Sequence, residues 1–597
     1  MAPLDVLVAG WFPAADDPIA GRFIADQAAA LATGGRVRPT LVTFEPFPLH
    51  GDAPLRQVTV DAWAEIIRQA AREGRAFADS GANGPPGIPV ARLGVPHGGA
   101  PGAGRTNQAI HRATVLNALV EGAGRTWPLL HAHVGYPEGA GVASVARAHH
   151  IPLVLTEHAG YLDRLFADPE IRAAYLEGAR TAARIIAVSH ALAGRIAGEF
   201  PELAGRIVVI PNTVDVDAFR PTGAAERDPD ELLWVGYRSE LKGTRALLTA
   251  FRMVRAARPA ARLRLIGRST TDEEEAEWHR LADELHIADA VSFEPPGDRA
   301  TVAAAMERAA LFVHPSRKES MGIVAVEALA AGLPVVAVDS GGVTEIMGPN
   351  PAAVGALISQ QDPELMAAAI VETLARRDRF DPRLLRSHVA DRYGANAVAR
   401  RIADLYGEVL RAAGGRPTPG AHLPPAAPAP ARTVIVGFER ASLDAALARF
   451  PSWVWGMTTL VTSGPPIAGH PDAVLLPSAI AQELEALLAI QGRARGSGLR
   501  GLVLTVPRWI GRWWRRRRLV RRVIPALSAA IEEGVGRASG SATAGAALIV
   551  CLGGIDIVAA ERLRGSARVV VAPGGLRWLG DRRAPGFEPQ ERTANPA

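Results

Sequence analysis

From residue 5 to about residue 406, short apolar runs alternate with longer, alanine-rich stretches of helical period. Residues 6–9, 153–156, 185–188, 207–210, 232–235, 264–266, 311–313 and 335–338 read as strands. Several are apolar at every position, as strands covered on both faces of a parallel sheet are. Strand–helix–strand repetition over this length predicts a doubly wound α/β architecture. A turn-rich segment, 211–219, followed by polar 220–231, divides the region into two comparable halves, 1–215 and 216–395. Residues 81–104 read as a mobile Gly/Pro-rich loop.

The composition shifts after Gly414. Residues 415–432 are proline-rich and predict a semi-rigid linker. Beyond it, strands are expected at 433–438, 459–463, 473–476, 547–551 and 568–572, giving a third, Rossmann-like α/β unit over 433–580 and a disordered tail at 581–597. The whole chain has 597 residues, 48% hydrophobic and 21% charged, which supports several buried cores and excludes a globally disordered or fibrous protein. Cys551 is the single cysteine, so no intramolecular disulfide and no cysteine-based zinc site can form. The N-terminus lacks a basic n-region and no apolar run reaches membrane-spanning length; both predict a cytoplasmic protein.

The net charge of +5 is misleading. Lysine occurs only at 242 and 318, and eight arginines crowd residues 508–522; removing those eight turns +5 into −3. The basic character is one local patch rather than a global nucleic-acid-binding surface.

The segment from Pro315 to Val338 carries the chemistry. A strand ends near 313, a loop follows, and a helix is expected to start near Met321 and stop at Gly332-Leu-Pro. Backbone N–H groups around Gly322 and Ile323 face outward at a helix N-terminus, where the dipole favours an anion. Gly322 lacks a Cβ, which permits close approach. Glu319 precedes the helix and Glu327 is placed about two turns inside it. Two carboxylates flanking an anion site suit a ligand with phosphate in its middle and hydroxyls at both ends.

These residues resemble the Glu-x7-Glu signature of the family 4 retaining glycosyltransferases, enzymes of GT-B fold. Other segments match in order through residues 1–414: His131-Ala-His133 to Gly139, Pro152 to His158, Val188-Ser189-His190, Pro211-Asn212, Val235-Gly236 to Lys242-Gly243, and Gly341-Gly342 to Glu345. The resemblance implies two Rossmann-like domains facing a cleft, acceptor side first and donor side second, with a helix over 396–414 crossing back. It implies that Lys242 neutralises the donor diphosphate, Glu327 holds the ribose and Glu319 the transferred sugar, with His158 beside that sugar. Gly21 would let the first loop approach the phosphates. The family has arginine directly after the Val-Gly glycine; here Tyr237 stands there, and Arg238 is expected to reach the diphosphate in its place. No Asp-x-Asp stands in a fitting context, so neither a catalytic metal nor another cofactor is expected. A UDP- or GDP-sugar is the implied donor and a glycan or lipid-linked hydroxyl the implied acceptor. A sugar-nucleotide epimerase, a glycogen-type transferase and a catalytically silent GT-B scaffold stay open as alternatives.

His131 and His133 stand near a strand end, where one of the pair is expected to face the core rather than a metal. In the extension, Arg508, Trp509, Arg512, Trp513, Trp514, Arg515, Arg516, Arg517 and Arg518 fall within 507–524. Tryptophan among arginines suits an interfacial helix against anionic lipid, on the inner face of a membrane. A helix packed on its own domain, or one facing another polyanion, stays open.

Overall fold

The computed structural model of the chain describes residues 2–12, 21–48, 60, 64, 67–77, 85, 87–97, 107–221 and 227–414, and five strand segments beyond 432. Its first sheet is built from β1 (Leu4–Ala9), β2 (Val37–Pro48), β3 (Val90–His97), β4 (Leu129–His133), β5 (Leu153–Glu157), β6 (Arg184–Ala187) and β7 (Ile207–Val209). The order is β3-β2-β1-β4-β5-β6-β7, every neighbour parallel. A second sheet uses β8 (Glu231–Arg238), β9 (Arg262–Ser269), β10 (Val291–Glu294), β11 (Leu311–His314), β12 (Val335–Val338) and β13 (Gly355–Ile358) in the order β10-β9-β8-β11-β12-β13. Both sheets reverse direction beside their first strand, and such switch points open a crevice at the strands' carboxyl ends.

Among the described residues beyond 432, β14 (Thr433–Val436), β15 (Thr458–Thr462), β16 (Val474–Leu475), β17 (Leu548–Cys551) and β18 (Arg568–Val571) form a third parallel sheet, ordered β16-β15-β14-β17-β18. The linker at 415–432, the Trp/Arg segment 507–524 with Arg508, Trp509, Arg512, Trp513, Trp514 and Arg515 to Arg518, and the tail at 581–597 lie outside the described residues.

The expected 81–104 loop is corrected by β3, which pairs with β2 from Leu41↔Val90 to Pro48↔His97. Pro89 precedes it and Pro96 lies inside it near its end; a residue without an N–H reads as loop in sequence but is tolerated on an edge strand. β3 occupies such an edge.

The two halves share one anchor. The helix Ala395–Ala412 packs Val398, Ile402, Tyr406 and Val409 against Val6, Val8, Ile24, Leu31, Leu129 and Ile186 of the first half. The outgoing and returning chains touch where they cross, Val214 N–H donating to the Tyr393 carbonyl at 3.0 Å. Ile402 is 1% exposed in this seam. Ile402→Ala should lower the unfolding free energy by about 2–4 kcal/mol in a urea titration; a loss below about 1 kcal/mol would show that the helix is not docked as described.

Candidate functional site

Strand β11 ends in a loop that carries Ser316, Glu319 and Ser320 to the start of the helix Ile323–Ala330. Gly322 occupies the N-cap position at φ 97°, in the left-handed region, and no side chain caps the helix. The need for glycine is conformational rather than spatial: an added Cβ would meet nothing nearer than 3.6 Å. The amides of Ile323 and its successors therefore begin the helix without an internal acceptor. The helix starts two residues later than expected, so Glu327 sits about one turn inside it rather than two.

Lys242 Nζ lies 2.7 Å from Glu319 Oε1. Burial pushes the Glu319 carboxyl up, but the Lys242 charge, His314 and the Ser316 hydroxyl outweigh it and hold the carboxyl below its ordinary range. His314 Nε2 stands 3.6 Å from the same oxygen, and burial lowers its own affinity for a proton. Glu327 behaves in the opposite way. Burial, reinforced by Asp26 and only partly offset by Arg299, raises its pKa to about 8.

Across the cleft, His158 Nε2 lies 2.8 Å from His133 Nδ1, and its ring meets the Phe23 ring at 4.8 Å. His131 and His133 both have no exposed surface and their rings lie 4.3 Å apart. Both of them, rather than one, are buried, because residues two apart on a strand share a face. His131 is held between Tyr406 Oη at 2.6 Å and Thr156 Oγ1 at 2.7 Å. Burial lowers His131 and His158 to about 3 and pushes His133 well below its ordinary value. All three imidazoles are neutral near pH 7. Among the described residues no group of three His, Cys, Asp or Glu side chains is placed to hold a metal ion.

Glu157 lies inside the segment Pro152 to His158 but is given no role there. Fully buried, it accepts from the amides of Gly135 (3.0 Å), His158 (2.8 Å) and Ala159 (2.7 Å). One carboxylate thus fixes both loops that follow β4 and β5, and with them the orientation of His158. Its signal in sequence was only a charged residue ending an apolar strand.

The halves meet through polar contacts at the strand ends. Ser189 Oγ donates to the Ser320 carbonyl at 2.5 Å and accepts from Leu192 N–H, capping its own helix His190–Glu199. Glu345 accepts from Ala191 N–H at 3.0 Å and pairs with His190 at 2.8 Å. Arg299 bridges Asp26 and Asp215, the latter at 2.9 Å, beside Glu327, and Lys318 pairs with Asp163. A Cβ on Gly160 would lie 3.5 Å from Ser320 N and 3.9 Å from Glu319 C, so the His158 loop abuts the Glu319 loop.

The structure thus brings Lys242, Glu319, Gly322, Ile323, Glu327 and His158 to one cleft. Arg238 differs from expectation, whereas Gly21 shows a packing requirement of its own. Gly21 has φ 68° and a Cβ there would lie 2.1 Å from the Trp11 carbonyl oxygen, so glycine is required by close packing inside its own half. Arg238 turns away: its guanidinium grips Glu275 at 2.7 and 3.0 Å and donates to the carbonyls of Leu265 and Glu294. With only 4% of its side chain exposed it has no reach to a ligand in the cleft. Glu275, in the acidic first turn of the helix Asp272–Glu284, is the partner that holds it.

Residues 215–384 match the family model described as glycosyl transferases group 1, and residues 77–218 match that of Glycosyltransferase Family 4. The D-inositol 3-phosphate glycosyltransferase of Frankia alni is 30% identical over 313 residues, 47% of this chain and 74% of that protein. The chain belongs to the family 4 glycosyltransferases. The D-inositol 3-phosphate glycosyltransferase of Thermobispora bispora is 35% identical over 221 residues, 34% of this chain and 51% of its own. This family 4 chain spans about half the length of the first curated relatives it matches. In fold it resembles the sucrose-phosphate synthase of Thermosynechococcus elongatus, at a TM-score of 0.53 and 20% identity, over 68% of this chain and all of that one. That likeness fixes the GT-B architecture: two parallel-sheet α/β domains with the cleft between them. No described helix is long and apolar enough to cross a membrane.

Two outcomes follow from the buried groups. A histidine with folded pKa near 3 and unfolded pKa near 6.5 stabilises the fold above pH 6.5 and withdraws that stability as pH falls toward 3. Each such site, His131 foremost, steepens the loss by up to about 1.4 kcal/mol per pH unit, so urea midpoints should drop between pH 7 and 5; a flat profile would contradict the neutral assignment. Glu327 has the reverse sign. Its raised pKa costs stability as pH rises from 4.5 to 8, so Glu327→Gln should melt no lower than the parent at pH 8.5, and a lower melting temperature would contradict the raised pKa.

Proposed function

We propose that the chain transfers a sugar from a nucleoside-diphosphate donor to an acceptor hydroxyl with retention of anomeric configuration. The observation that carries this reading is the Lys242–Glu319 pair at 2.7 Å, beside the uncapped helix start at Gly322 and one turn from Glu327, with the His158 loop opposite. The donor diphosphate lies over the amides of Gly322 and Ile323. Lys242 swings from Glu319 to the phosphates, and Glu319 is released to accept from the hydroxyls of the transferred sugar. Glu327 takes the ribose hydroxyls.

As the bond from the anomeric carbon to the phosphate oxygen breaks, its electron pair leaves with the nucleoside diphosphate. Lys242 and the helix N-terminus stabilise that charge. The acceptor oxygen attacks from the same face and its proton passes to the departing phosphate, so no glycosyl-enzyme forms. Neutral His158 contributes a hydrogen bond to the sugar rather than a charge. Charge neutralisation falls to Lys242 in this scheme, with no metal assigned to the step.

UDP- and GDP-sugars are the proposed donors, and a glycan or lipid-linked hydroxyl at the cell surface the proposed acceptor. The Trp/Arg segment 507–524 supports placing the enzyme at the inner face of an anionic membrane. The curated relatives are named for inositol 3-phosphate. That cyclitol is therefore the first acceptor to try.

A thermal-shift panel of UDP, GDP, ADP and their sugars tests the donor site. One base should stabilise the chain by about 2.7 kcal/mol at a hundredfold excess over its dissociation constant. Lys242→Ala should reduce kcat/KM about 10²–10³-fold. Stabilisation by none of the nucleotides, or an inverted product anomer by NMR, would overturn the corresponding half of the reading.

A further inference from the structure

Where the chain crosses back, the two halves leave a cavity of about 110 Å³ between them. Its walls include Ser189, His190, Met321, Glu345, Arg392 and Arg401. Ser189 and His190 follow β6 in the first half, while Met321 and Glu345 follow β11 and β12 in the second. Arg392 and Arg401 stand on either side of Gly394, where the helix Pro382–Tyr393 gives way to Ala395–Ala412. Lys242, Glu319 and Glu327 do not line this cavity. Met321 links it to them. It lies two residues after Glu319, its Sδ accepts from the Asn212 amide at 3.2 Å, and the Ser320 carbonyl before it is held by Ser189.

The charges of the cavity do not balance. Glu345 is spent on the first half: Oε1 accepts from Ala191 N–H at 3.0 Å, and Oε2 meets His190 Nδ1 at 2.8 Å. Arg392 stands farther off, 3.7 Å from Oε2. Its guanidinium is oriented by the Glu345 backbone carbonyl, to which Nη1 donates at 3.2 Å, and by the Tyr393 ring, whose centroid is 5.2 Å away. Arg401 Nη2 donates to the Val209 carbonyl at 2.5 Å. Among the described residues no carboxylate pairs with Arg401; burial, and then the Arg392 charge, lower its hold on a proton. One carboxylate thus answers two guanidiniums, and each guanidinium has five N–H donors.

The size and the charge of the cavity together select a ligand. A water molecule takes about 30 Å³ of liquid, so the space admits a group of several heavy atoms. A neutral polyol would leave the second guanidinium unmatched, and a cation would add to the repulsion. A tetrahedral oxyanion with more than one charge accepts from both forks at once. We propose that this cavity binds a phosphate-type oxyanion, free or as a phosphomonoester, between Arg392 and Arg401. The anion ties the last helix of the second half to the helix seated on the first half. It also sits against Met321, behind the loop that carries Glu319. The site is separate from the sugar-nucleotide cleft and does not rest on the reading of that cleft.

Thermal unfolding of the full chain with inorganic phosphate, with glycerol 3-phosphate and with potassium chloride at matched ionic strength tests the assignment. Phosphate should raise the melting temperature with dose and chloride should not. Arg401→Gln should weaken the apparent phosphate affinity about tenfold or more, as should Arg392→Gln, and Arg401→Lys should recover part of the loss by keeping the charge without the fork. Lys242→Ala should respond to phosphate as the parent does. A response to phosphate alone identifies a free anion, and a tighter response to glycerol 3-phosphate identifies a phosphomonoester. An equal response to chloride is screening and would overturn the assignment, as would no response at all. A response kept in Arg401→Gln and Arg392→Gln but lost in Lys242→Ala would place the phosphate in the donor cleft, sinking this site while leaving the nucleotide-sugar reading intact.

Discussion

A parallel sheet covered by helices on both faces has its strand ends left over for chemistry, and this constraint organises the molecule. The strands of both sheets are buried on two sides, so side chains along them are committed to packing. Where each chain leaves a strand at its carboxyl end, amides and helix N-termini are unpaired and point outward. The contacts that join the halves lie at those ends: Ser189 to Ser320, Glu345 to Ala191, Arg299 to Asp26. The helix Ala395–Ala412 supplies the apolar counterpart by returning to the first core. Polar contacts between the halves can exchange with water, whereas the helix seam cannot separate without exposing Ile402, Tyr406 and Val409.

Electrostatics in the cleft follow from burial more than from pairing. The imidazoles of His131, His133 and His158 are neutral because a protonated ring there would lose its hydration with no acid to match it. Glu327 holds its proton for the same reason. Glu319 stays ionised because Lys242 is within hydrogen-bonding distance. Two carboxylates eight residues apart are thus set to opposite protonation states by the presence or absence of one ammonium. Such separation lets one acid accept hydrogen bonds while the other also donates.

The ends of β8 and β9 show how register decides which side chains become neighbours. A substitution at a strand end changes which side chain faces the ligand, but the register fixes which residue of the next strand stands beside it. Tyr237 places an aromatic ring under Arg268, and Gly267 allows the strands to approach closely enough for that contact. Arg238, one residue along, lands on the opposite face and is neutralised by Glu275. The period of two is what sends Tyr237 and Arg238 to opposite faces of the sheet.

The amino-acid pattern by itself determined the fold class, since continuous apolar strands alternating with helices admit few arrangements other than parallel sheets. Most strands of the two halves, and the five beyond residue 432, fall within a few residues of where the pattern puts them. β3 escaped because Pro89 and Pro96 read as loop residues in sequence, whereas an edge strand tolerates them, and edge position is a property of the assembled sheet. The anion site at Gly322 was legible because helix start, glycine and flanking carboxylates are local in sequence. The directions of Arg238 and Arg268, the stacking of His131 on His133 and the role of Glu157 were decided only by tertiary structure. Each depends on which strand lies alongside and which face a helix covers. Spacing along a chain specifies what neighbours in sequence share, whereas the protonation state of Glu327 and the partner of Arg238 arise from residues brought near by folding.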